Sequence, residues 1–222
     1  MRGNQPTTGG RNFGDDFRWT GHTLSETYVC IDIETDGPSP GQYSMLSFAS
    51  IAFRLDKTIL ATFERNLELL PQAKQDPKTM EFWKTQPEAW QACRSNLVSP
   101  GIAMREYCDW LKSFPEKPVG VAHPVGFDFT FIHWYLYEFA GESPFFPAGL
   151  DVASYAMAVL DQPFTRSHRP YLPKEWIDAS VPQSHKAIDD ALGHAFMFCN
   201  MVAANRKARG MEKHGKDLEN SR

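Results

Sequence analysis

The chain has 222 residues, 42% of them hydrophobic and 13% aromatic, and a formal net charge of -4. That length and composition fit one globular domain with a sizeable core and exclude a disordered polymer. No apolar run approaches the roughly 18 residues of a membrane span, the polar N-terminus lacks the apolar stretch of a secretory signal, and the mild acidity argues against a broad basic surface for nucleic acid, although carboxylates that bind cations would reverse the local sign.

Residues 1–26 read as a flexible leader, polar and Gly-rich without apolar periodicity. Residues 27–33 are β-branched and aromatic, the pattern of a buried central strand. Turn residues follow in Asp36-Gly37-Pro38-Ser39-Pro40-Gly41. Residues 45–53 and 58–66 continue as two more strands of a meander, and helical patterns cover 77–93 and 101–114. A short apolar strand is expected at 119–122, then helices at 127–139, 151–160 and 185–202. The segment 205–222 is charged, lacks aromatics and reads as a solvated tail. One domain therefore spans 27–204, with an α/β mixed β-sheet flanked by helices. Cys30, Cys93, Cys108 and Cys199 form no CxxC pair, so they read as buried free thiols of a cytoplasmic protein.

The chemistry-bearing residues fall in three acidic segments. Asp32 and Glu34 are two apart on a strand, so both side chains leave the same face of the sheet. The apolar run before them marks that strand as central, where paired carboxylates repel unless a cation lies between them. Asp128 stands where a strand and loop give way to a helix, a place that by itself also suits an acid interacting with the helix dipole. His185 and Asp190 are five residues apart, or roughly 140° around a helix. They converge only if His185 lies at the helix entrance, which Pro182 and the candidate cap Ser184 favour. On the apolar stripe Ile188, Ala191, Ala195, Phe198 and Val202, Asp190 lies roughly 110° from the centre and Asp189 roughly 150°. Asp190 therefore flanks the core and Asp189 faces water.

The order Asp-x-Glu, then Phe-Asp, then His-x4-Asp resembles the DEDDh branch of the DnaQ-like 3′-5′ exonucleases, the group of ribonuclease T and the proofreading exonucleases. The resemblance covers about residues 27–204 and implies an RNase H-like sheet. Any one motif is weak, whereas three in this order at these spacings are specific. Two positions depart from the family pattern. Pro124 stands where an amide residue is usual, which removes polar support from that loop, and Ser47 stands where an acid is often found.

The resemblance implies two divalent cations, Mg2+ or Mn2+, held by Asp32, Glu34, Asp128 and Asp190. Asp32 would bridge the two ions, with His185 as general base on the attacking water. The implied reaction releases nucleoside 5′-monophosphates from single-stranded or frayed 3′ ends of DNA or RNA. Candidate substrate contacts are Gly37 through its backbone, Met45, Leu46, Phe82 and Trp83 by stacking, and Arg166 and Arg169 on a basic loop. For each stacking residue ordinary core packing is the competing reading, as a solvated loop is for the arginines. Nothing in the sequence chooses between DNA and RNA, or between a lone chain, a homodimer and association with a polymerase. Two other classes stay open: a catalytically silent RNase H-like module that binds nucleic acid or a partner, and an RNase H-type endonuclease or integrase relative.

Overall fold

The computed structural model describes residues 26–182 and 184–210. The leader expected at 1–26 lies outside them except for Glu26, and so does the tail from residue 211 onward.

Three consecutive strands build the centre: β1 (Tyr28–Thr35), β2 (Met45–Phe53) and β3 (Ile59–Leu67). They pair antiparallel as a meander. The chain then forms α1 (Pro77–Lys84), α2 (Pro87–Cys93), β4 (Leu97–Val98) and α3 (Pro100–Lys112). It continues through β5 (Val119–Ala122), α4 (Val125–Ala140), β6 (Leu150–Asp151), α5 (Val152–Leu160) and α6 (Ala187–Ala208). The six strands lie in the order β4-β3-β2-β1-β5-β6. β5 pairs parallel to β1, and β6 parallel to β5, so the sheet is mixed, as expected.

The pleat of β1 sorts its side chains between two helical layers. Val29, Ile31 and Ile33 pack with Met104, Tyr107 and Leu111 of α3 and with Phe131, Tyr135 and Leu136 of α4. Tyr28 and Cys30 face the other way, toward Val152 and Ala156 of α5 and Ala191, Ala195 and Phe198 of α6. With both faces covered, β1 is apolar throughout until Asp32. All four cysteines are buried and free.

Several boundaries differ from those expected. The single helix foreseen at 77–93 is two helices, because Pro87 cannot donate a backbone hydrogen bond and so opens a new helix as its first residue. Thr85 ends α1, its N–H donating to the Phe82 carbonyl while the Gln86 N–H donates to the Trp83 carbonyl. The two-residue strands β4 and β6 are too short to carry an alternation signal. α6 begins two residues after His185 and runs to Ala208, four residues beyond the expected end of the domain.

Candidate active site

Because β1 alternates, Asp32 and Glu34 continue the row begun by Tyr28 and Cys30 and therefore point toward the α6 layer. Asp190 lies in the first turn of α6. One ligand atom from each of Asp32, Glu34 and Asp190 lies within 4.8 Å of the others. Asp128 comes from the first turn of α4, is 4% exposed, and is outside that trio while still repelling Asp32. The four carboxylates named from sequence thus meet at one end of the sheet.

Their electrostatics are those of crowded acids. Burial, then repulsion from Asp128, Glu34 and Asp190, pushes the Asp32 carboxyl well above its ordinary range. Glu34 is pushed up to about 8 by burial and by Asp190 and Asp128. Asp128 is pushed up to about 7 by burial, partly opposed by the Ile33 backbone. Asp190 is also raised by burial, while His185 and Arg169 pull it down. Four such groups ionise together only when positive charge is placed among them.

His185 stands outside the helix with a positive φ of 51°, and its ring is exposed. This is the entrance position that convergence with Asp190 required. Ser184 does not cap the helix. Its hydroxyl donates to the Asp189 carboxylate at 2.6 Å, and Asp189 in turn raises the pKa of Asp190 by repulsion. The His185 ring meets the edge of Phe82 with centroids 5.3 Å apart, and Phe82 is exposed.

The candidate substrate contacts fare differently. Met45 and Leu46 are fully buried, because β2 is an inner strand with both faces covered, and they offer no face to a base. Trp83 is also buried; its indole N–H donates to the Thr35 carbonyl at 2.9 Å, which fixes the end of β1. Phe82, its neighbour, takes the exposed side. Gly37 is buried and its carbonyl accepts the Thr35 hydroxyl at 2.9 Å. A Cβ added at Gly37 would lie 2.2 Å from the Tyr43 ring, so the close approach requires glycine there. Arg166 is exposed on a short 3-10 turn, whereas Arg169 lies close enough to Asp190 to lower its pKa.

The Pro124 departure is resolved by Asp151. That side chain accepts the Val125 N–H at 3.0 Å and the Ser154 N–H at 2.6 Å, tying the start of α4 to the start of α5. Ser47 stands across the ladder from Glu34. Two residues near the acids escaped the sequence reading. His194 has its Nδ1 3.7 Å from Asp32 Oδ1, and its spacing of one helical turn from Asp190 was the available signal. Asp36 is buried and accepts the Ser44 N–H at 2.6 Å; a turn-forming Asp is too common to single out.

No protein-family model matches the chain. It is 28% identical over 180 residues, 79% of this chain and 91% of the relative, to the 3′-5′ DNA exonuclease Cap18 of Escherichia coli. The nuclease domain of 3′hExo, a DEDDh family member solved with rAMP, superposes with a TM-score of 0.61 at 11% identity over 86% of this chain and 96% of that one. The RNase domain of yeast Pop2 superposes with a TM-score of 0.62 at 10% identity, over 81% and 78%. At these identities the two structural likenesses establish the RNase H-like fold.

Proposed function

We propose that the chain is a DnaQ-like 3′-5′ exonuclease, a reading supported by its sequence relation to a DNA exonuclease and by its fold, and that it hydrolyses single-stranded or frayed 3′ ends to nucleoside 5′-monophosphates with two divalent cations and a histidine base. The observation that carries this reading is the trio Asp32, Glu34 and Asp190, whose ligand atoms lie within 4.8 Å of one another. Burial and mutual repulsion hold these carboxyls above their ordinary pKa range, so hard cations fit the donor set and would restore their ionised form.

Asp32, Glu34 and Asp190 would hold one ion, and Asp128 with Asp32 the other. Bound there, Mg2+ or Mn2+ would supply Lewis acidity to the scissile phosphodiester and lower the pKa of the attacking water. His185, exposed at the entrance of α6, takes the proton of that water on a ring nitrogen. Phe82 limits the rotation of the His185 ring through its edge contact and offers its exposed side to a terminal base. Arg166 and Arg169 contact the phosphates upstream of the scissile bond. The sequence relation to a DNA exonuclease favours DNA over RNA.

The test is digestion of matched 5′-labelled single-stranded DNA and RNA with Mg2+, with Mn2+ and with chelator. A ladder shortening from the 3′ end only in the metal lanes is expected, stronger on DNA. Intact strands in every lane, from folded protein, would overturn the reading.

A further inference from the structure

His194 lies against the acid cluster and takes no part in the chemistry above. It follows Asp190 by four residues on α6, so the two side chains share the helix face that meets the end of β1. Its Nδ1 stands 3.7 Å from Asp32 Oδ1, longer than a hydrogen bond. That nitrogen is buried and has no hydrogen-bond partner, an arrangement that is costly unless a partner is made in another state of the site. Burial, then His123 and Arg169, push its pKa down to about 3; the ring is neutral and carries a single N–H.

The ring is held from behind. His123, directly after β5, meets it edge to face with centroids 5.1 Å apart. His168 stacks on His123 at 5.5 Å and 11°, with His123 Nε2 3.4 Å from His168 Nδ1. The three imidazoles thus form a row that starts at Asp32 and ends in the 3-10 segment carrying Arg166 and Arg169. Asp32 is repelled by Asp128, Glu34 and Asp190, and each of those neighbours, once ionised, is an acceptor only.

We propose that His194 is a positioning residue for Asp32: its Nδ1–H donates to the ionised Asp32 carboxylate when that group holds a cation, and His123 and His168 keep the ring turned toward it. The inference rests on the metal-site reading given above. Donors behind a ligating carboxylate hold its orientation, and their removal typically weakens metal binding about 10- to 100-fold.

The experiment measures Mn2+ affinity by titration calorimetry on the full chain without nucleic acid. His194→Leu and His194→Asn are near-isosteric and differ in the donor. The expected result is Mn2+ binding weaker by about 10-fold or more in His194→Leu, with affinity close to the parent in His194→Asn. Parent-like affinity in His194→Leu, or equal loss in both variants, overturns the proposal and leaves His194 as packing. If the leucine variant does not fold, His194→Phe takes its place in the same comparison. Asp32→Asn separates the two readings: a parent that binds no Mn2+, or an Asp32→Asn protein that binds it undiminished, defeats the metal site itself.

Discussion

Asp32 and Glu34 are costly residues for the cation-free fold, and the cost has a measurable sign. Each is buried among other acids that raise its pKa. Replacing either by its amide removes a group that resists ionisation. Asp32→Asn and Glu34→Gln should therefore abolish turnover while raising the melting temperature of chelated protein above pH 8. Calorimetry of the chelated proteins checks this, and a lower melting temperature in both variants would defeat the argument. His185 is the converse case. It is exposed and outside the acid trio, so His185→Ala should lower turnover by about 10²- to 10⁴-fold with Mn2+ affinity retained. Asp189→Ala, which loses the Ser184 contact and a weak repulsion on Asp190, should change turnover by less than a few-fold in the same assay. Asp189→Ala thereby serves as the control for His185→Ala.

At the scale of elements, the site depends on how the end of β1 is held. The Thr35 hydroxyl bonds Gly37, the Thr35 carbonyl accepts Trp83 of α1, and Asp36 bonds the Ser44 N–H at the start of β2. These contacts fix the turn that follows Asp32 and Glu34. Trp83→Phe keeps the buried ring and leaves the Thr35 carbonyl without its donor, a loss of about 1–3 kcal/mol. Urea denaturation should show that loss, and an unchanged midpoint would mean that the hydrogen bond does not hold α1 to the strand. α1 also carries Phe82 against His185, so the same variant should lower turnover more than Asp189→Ala does. Two of the helices start at aspartates that cap them. Asp76 accepts the Thr79 N–H to cap α1, and Asp151 accepts the Ser154 N–H to cap α5.

For the whole molecule, the acid cluster couples stability to pH and to cations. The Glu34 carboxyl rises from 4.5 to about 8 in the fold. Between those values the folded chain keeps a proton that the unfolded chain has released, so stability falls as pH rises through that window. Chelated protein should melt at lower temperature near pH 8 than near pH 5. Mn2+ at a hundredfold excess over its dissociation constant should raise the pH 8 melting point by roughly 5–10 °C. A melting point indifferent to Mn2+ would sink the coupling. How much of this was written in the sequence follows from the range of the forces involved. Periodicity two along β1 determined that Asp32 and Glu34 share a face, and an apolar run determined that the strand is central, because both are local properties of the chain. The angular position of Asp190 on α6 and the need for His185 to precede that helix were likewise legible. Tertiary structure alone decided that Met45, Leu46 and Trp83 are buried while Phe82 is exposed, since burial depends on which layers cover β2 and α1. It also decided that His123, His168 and His194, far apart in sequence, stand in one row ending at Asp32. Contacts between distant segments carry no local periodicity, and only the packing of α6 and β5 against β1 brings them together.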